Sequence, residues 1–191
     1  MIALTRKALM ALFIFIILTG VVYPLVVTGV AQALFPYQSN GSLIVSNGQM
    51  LGSKLIGQPF DDPRYFWGRL SATSPFPYNA TASSGSNLGP TNPALAVVVR
   101  ARIADLKLAD PLNTQPVPVD LVTYSGSGLD PHISLASALY QIPRVASARL
   151  MSEDMIHALV ERYTDRRQFG FLGEPSVNVL LLNLALDGIK Y

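Results

Sequence analysis

Ser127, Asp130 and His132 hold the atoms of a hydrolytic triad, but they stand two or three residues apart and no G-x-S-x-G elbow surrounds the serine. Triads are assembled from distant segments, so a turn is the better reading, with Asp130 and Ser134 capping it and His132 hydrogen-bonded nearby. His132 and His157 are the only two histidines. They fit no H-E-x-x-H or related ligand spacing, and neither a metal site nor a catalytic residue is expected. The chain has no cysteine, which excludes thiolate chemistry and a disulfide framework. It also lacks a G-x-x-x-x-G-K-[ST] phosphate loop and a T-V-G-Y-G ion filter. The unusual polar content is concentrated instead in Ser84 to Pro93 and in Ser125 to Ser134, where glycine permits backbone conformations that side chains forbid.

The segment Pro36 to Pro93 is rich in Gly, Pro, Ser and Asn, with short apolar runs such as Leu43-Ile44-Val45. It predicts short strands and ordered loops. Asn92 as N-cap and Pro93 at the first position open a helix, continued by Leu95, Val99, Ile103 and Leu106 to about Leu108. Val117 to Tyr124 alternates apolar and polar residues and predicts a strand entering the turn Ser125-Gly126-Ser127-Gly128. Ser134 caps a short helix that Pro143 interrupts or restarts. A further helix opens at Ser152, with Glu153 and Asp154 at its positive end and Met155, Ile156, Leu159, Val160 and Tyr163 on one face. The last element, Pro175 to Asp187, is apolar and stops at Gly188, as a buried core helix would.

These elements follow a run from Ala8 through Phe35 without a charged residue, directly after Arg6 and Lys7. A bilayer core needs only about 20 apolar residues in a helix, so the run predicts one transmembrane helix. The alternative is a cleaved signal ending near Ala31-Gln32-Ala33, but signal apolar regions span only about 7 to 15 residues. Pro24 should kink the helix, and Gly20 and Gly29 offer small packing surfaces. No lysine or arginine follows until Lys54, so the positive-inside bias puts residues 1–7 in the cytoplasm, 8–35 in the membrane and 36–191 outside. The expected fold is α+β: one N-terminal transmembrane helix, then a single extracytoplasmic domain of short strands, ordered polar loops and several helices. Apart from Arg6 and Lys7 the chain carries twelve basic and twelve acidic residues. That balance offers no basic surplus for nucleic acid.

Six strings carry a resemblance along essentially the whole length: Gly52 to Gln58, Tyr65-Phe-Trp-Gly-Arg69, Ser84 to Pro93, Val119 to Ser134, Gln141-Ile-Pro-Arg-Val-Ala146 and Gly173 to Leu180. Through them the chain resembles the KdpC family, the C subunit of Kdp-type potassium-transporting P-type ATPases. It departs from the family at Leu70, usually proline, and at Tyr124, usually a small residue. The resemblance implies a bacterial inner-membrane complex in which a channel-like A subunit selects K+, a B subunit hydrolyses ATP with Mg, and a small F peptide accompanies them. This chain would be the non-enzymatic accessory subunit, touching membrane lipid and binding no cofactor itself. The family is described as a catalytic chaperone that raises ATP affinity, which points to Gln141 and to Ser125, Gly126, Ser127 and Gly128 as nucleotide contacts. The topology puts these residues across about 30 Å of hydrocarbon from cytoplasmic ATP, so an indirect effect is expected.

The residues fit a domain that docks near the K+ entrance of the channel-like subunit. Its interface or ion-path candidates are Ser84, Gly85, Ser86, Asn87, Asn92, Asp120, Asp130, His132 and Arg144. The alternatives are a direct ATP-binding chaperone of the hydrolysing subunit, a stand-alone extracytoplasmic ion-binding module and an anchored hydrolase.

Overall fold

A computed structural model of the chain describes residues 2–189. The chain divides after Leu43 into two units. The first is a helical stretch, Ile2–Leu34, in which no residue is buried. Among the described residues it is the one helix long and apolar enough to cross a membrane. At 33 residues it would extend about 50 Å. It begins with α1 (Ile2–Ile17), which includes Arg6 and Lys7, and ends with α2 (Tyr23–Leu34). Between them Leu18–Val22 forms a π-helical turn, in which the Tyr23 N–H reaches back five residues to the Leu18 carbonyl. The sequence predicts a kink at Pro24; what precedes it is this wider turn, since proline has no N–H to give. A short α3 (Pro36–Ser39) follows.

A hairpin follows, β1 (Leu43–Ser46) and β2 (Gln49–Ser53), all of it but Leu43 in the second unit. Asn47 and Gly48 both have positive φ, 51° and 77°, the signature of the two-residue turn that matches strand twist. Ile44 under the hairpin packs with Leu180 and Leu181. The next regular element is α4 (Pro93–Ala109), and its N-cap is as expected, with Asn92 Oδ1 accepting from the Ala94 N–H.

Residues 117–124 depart from the expected strand. Val119–Val122 is a helical turn, α5, entered through Pro118 and closed by Thr123 Oγ1 donating to the Val119 carbonyl. Two prolines, Pro116 and Pro118, leave too few N–H groups for a ladder; Tyr124 alone bridges, in parallel, to Leu70. The two positions that depart from the family pattern are thus paired with each other. Their bond runs from the Ser125 N–H to the Leu70 carbonyl, 3.0 Å, an acceptor that proline at 70 would also supply.

The rest forms one α+β core. A three-stranded antiparallel sheet has β5 (Ser176–Asn178) between β3 (His132–Ser134) and β4 (Thr164–Asp165). Against it pack α6 (Leu135–Arg149), α7 (Glu153–Arg162) and α8 (Val179–Leu186). Pro143 does not interrupt α6, which runs through it for 15 residues. The carbonyl that proline leaves without its usual donor is that of Leu139, a residue on the exposed side of the helix. The C-terminal segment is likewise not helical throughout, because its first residues form the central strand before Asn178 caps α8 by accepting from the Leu181 N–H. Ser134 caps α6 as expected, and Ser152, where the sequence predicts a helix to open, is the N-cap of α7.

Candidate functional site

The string Tyr65 to Arg69 lies in the irregular stretch between β2 and α4, yet its backbone is bonded throughout. Every carbonyl from Pro63 to Leu70 accepts a hydrogen bond from outside the segment or from Tyr78. Arg144 Nη1 donates to Pro63 and Tyr65, and Arg149 Nε to Arg64. The Asn183 amide donates to Phe66, the Gln141 amide to Trp67, Arg102 Nη2 to Gly68 and the Tyr78 hydroxyl to Arg69. Gln141 and Asn183 also accept from the N–H groups of Trp67 and Phe66, 2.8 and 2.9 Å. Each carboxamide therefore replaces a neighbouring strand for one residue, using both its donor and its acceptor. Phe66 and Trp67 are driven into the core in this way, 0% and 5% exposed.

Gln141 is 1% exposed. Besides Trp67, its partners are the Ser137 carbonyl and Arg144 Nη2 at 2.6 Å, none of them in the glycine strings. Arg144 is 4% exposed, with its guanidinium 4.6 Å from the Trp67 ring centroid and Arg102 at 4.8 Å. Both arginines bond carbonyls rather than carboxylates, so burial lowers their affinity for the proton; Arg144 falls to about 10.

The two glycine-rich strings meet. The Ser84 N–H and Ser83 Oγ both donate to the Ser127 carbonyl, 3.0 and 2.9 Å, and Ser71 Oγ donates to the Gly128 carbonyl, 2.7 Å. Gly128 has φ +69°, and a Cβ there would lie 2.6 Å from the Ser84 carbonyl oxygen and 2.6 Å from Thr73 Cγ2. At Gly85 a Cβ would lie 2.8 Å from the Gly126 oxygen. Gly126 itself faces open space, so only its backbone is engaged. Ser125 is buried, 2% exposed, and its Oγ has no partner among the described residues. Ser86 and the exposed Asn87 (φ 52°) continue the loop towards Asn92.

Ser127, Asp130 and His132 are not assembled for catalysis. Ser127 Oγ accepts from the Leu129 N–H, 3.1 Å. Asp130 Oδ1 accepts from the His132 N–H at 3.0 Å and lies 3.4 Å from His132 Nδ1, while Oδ2 meets Arg69 Nη1 at 3.4 Å. Burial pushes the Asp130 carboxyl up, but the bonds to His132 and the charges of His132 and Arg69 outweigh it and hold the group below the usual carboxylate range. Asp120 accepts from the Ser134 N–H (2.8 Å), the Ser134 hydroxyl and the Ser137 hydroxyl, tying α5 to the start of α6. A cavity of about 510 Å³ separates these groups, lined by Arg69, Asp120, Asp130, His132, Ser134 and Glu174 among others.

The candidates thus fall into three sets: the paired glycine loops, the Asp120–Ser134 and Asp130–His132 turns, and the Gln141–Arg144 clamp. Arg102, Arg149 and Asn183 have no signal in the sequence, because an arginine or asparagine that bonds a distant carbonyl leaves no local spacing to read. The arrangement orders loops.

Residues 5–188 match the family described as "K+-transporting ATPase, c chain". The chain is 63% identical over 185 residues to the potassium-transporting ATPase KdpC subunit of Methylococcus capsulatus, covering 97% of both chains. It is 61% identical over 190 residues to that of Sorangium cellulosum, covering 100% of both. The similarity takes in the apolar helix, the carbonyl-bonded segment and both glycine loops alike, and the chain belongs to the KdpC family, the c chain of K+-transporting ATPases.

Proposed function

We propose that the chain is the accessory subunit of an ATP-driven potassium-uptake pump in a bacterial inner membrane. Its Ile2–Leu34 helix spans the membrane once, with Arg6 and Lys7 inside. Its folded domain lies outside and docks near the K+ entrance of the channel-like subunit. ATP and Mg belong to the hydrolysing subunit, and K+ is the ion carried. The observation that carries this reading is the use of the candidate residues within the chain itself. Gln141, Asp120 and the Ser84 and Ser127 loops bond one another or nearby backbone, giving a rigid, loop-rich surface of the kind that suits a polar, wet interface. An effect on ATP affinity would then arise through two pump states that docking stabilises unequally.

Purification of the tagged full-length chain from membranes tests it. The channel-like and ATP-hydrolysing subunits should copurify, and removing this chain should abolish K+-stimulated ATP hydrolysis. The chain alone, in detergent, should show no saturable ATP binding by calorimetry. Stoichiometric ATP binding that Gln141→Ala abolishes would overturn the indirect account in favour of a direct nucleotide contact.

A further inference from the structure

The connection between β4 and β5, residues 166–175, does nothing for the core yet carries its apolar side chains outward. Phe169 is 87% exposed, Phe171 70% and Leu172 46%. Exposed Leu112 and Leu150, each in a connection, stand singly, which is ordinary for a protein surface, and exposed Leu43, Val45 and Met50 are spread over the two strands of the β1–β2 hairpin. Here three fall within four residues.

The loop is nonetheless held firmly. Gln168 and Leu172 exchange a pair of backbone hydrogen bonds at 2.9 Å each around Gly170, φ +81°. Arg167 closes the base on Glu174 with two bonds of 2.8 and 2.7 Å. Phe169 adopts φ +53°, a backbone conformation that costs a bulky residue energy and persists only where the surroundings impose it. Beside the loop lies a cavity of about 460 Å³ lined by Leu135, Glu161, Thr164, Arg166, Gly170 and Pro175, among others. Arg166 forms no ion pair among the described residues.

We infer that this loop is the anchor by which the domain docks on the channel-like subunit of the potassium-transporting complex. Phe169 and Phe171 enter an apolar pocket of that subunit, and a carboxylate at the pocket's rim meets Arg166. The inference rests on the accessory-subunit reading and names its docking face. Two phenylalanines bury roughly 300 to 500 Å², about half of one partner's share of a standard interface, which is the scale of a central hot spot rather than a whole contact. An aromatic and basic tip could also meet a lipid surface. A fixed knob beside a fixed cavity favours a structured protein, because preorganised relief lowers the ordering cost of docking on a complementary shape and a fluid bilayer has no such shape to match.

A photoreactive benzoylphenylalanine placed at Phe169 or Phe171 in the full-length chain, expressed with its complex in native membranes, tests this directly. The expected product is an adduct with the channel-like subunit, mapped to an apolar segment flanked by Asp or Glu; the same group at Leu112 should give none. Phe169→Ala with Phe171→Ala should lower copurification of the complex by about tenfold or more and leave the unfolding midpoint of the chain unchanged, since both rings are outside the core. Arg166→Glu should weaken copurification more than Arg166→Lys. Adducts with lipid alone, with a second copy of this chain, or none at all would overturn the inference while leaving the subunit reading intact so long as the wild-type complex copurifies. If the wild-type chain brings down no transport subunit, both fail.

Discussion

Gly126 and Gly128 are two residues apart and answer to different constraints. At Gly128 a side chain meets the Ser84 carbonyl oxygen, a backbone atom that cannot swing aside, and must also take up φ +69°. Gly126 has room for a Cβ and no positive φ. Gly128→Val should therefore cost about 3 kcal/mol or more. Gly126→Ala should stay within about 0.5 kcal/mol, and Ser127→Ala should cost about 1 kcal/mol for the lost hydroxyl acceptor. Denaturant titration of the full-length chain in detergent, followed by the fluorescence of its one tryptophan, measures all three. A Ser127→Ala effect larger than that of Gly128→Val would give the hydroxyl a role beyond the turn. The bare glycine count of the string cannot separate the two positions, because the atom that makes Gly128 obligatory lies more than forty residues away in sequence.

The irregular segment ahead of α4 is an element in its own right, built from side chains in place of a sheet. Tyr78 illustrates how it is fastened: its hydroxyl donates to the Arg69 carbonyl at 2.6 Å, and a Cβ at Gly57 or Gly68 would strike its ring or hydroxyl at 2.4 or 2.6 Å. Burial pushes the Tyr78 phenol from 10.0 up to about 12. Below pH 10 it is neutral in both folded and unfolded chains. Between pH 10 and about 12 only the unfolded chain releases the proton, so stability falls as pH rises, by up to about 1.4 kcal/mol per pH unit. Arg144 acts in the opposite sense over this range, and a difference between variants removes it. Tyr78→Phe should be less stable than wild type by about 1 kcal/mol at pH 8, and the gap should close by about pH 11; a gap independent of pH would show that the phenol is not the titrating clamp. Elements defined by neighbouring residues were legible in sequence: Asn92-Pro93 at the start of α4, Ser152 before α7, and the positive-φ pair Asn47-Gly48, whose hairpin signal was there to be used. The segment from Pro63 to Leu70 was not, since its partners Gln141, Arg144 and Asn183 lie 74 to 117 residues away. Local alternation misled at Val117 to Tyr124 because it does not register that Pro116 and Pro118 cannot pair.

At the scale of the whole molecule, function turns on which side of a membrane the folded domain occupies. The helix Ile2–Leu34 carries its only charges, Arg6 and Lys7, near one end, and the domain beyond it is electrically balanced, so the bias that sets orientation rests on those two residues. The domain could act on a K+ entrance from outside or on a nucleotide site from inside, but one orientation forbids the other. The absence of cysteine makes the choice measurable with one substitution. Leu112, 91% exposed, lies in the loop after α4, and Leu112→Cys should disturb no packing. In intact cells with a permeable outer layer, a membrane-impermeant maleimide should label this cysteine as fully as it does after lysis. Reversing the flanking charge with Arg6→Glu and Lys7→Glu should reduce that labelling, because the positive-inside bias is then lost. Labelling only after lysis would put the domain in the cytoplasm, make a direct nucleotide contact through Gln141 or the Ser125 to Gly128 loop physically accessible, and require the chain to reach the potassium path through its membrane helix alone.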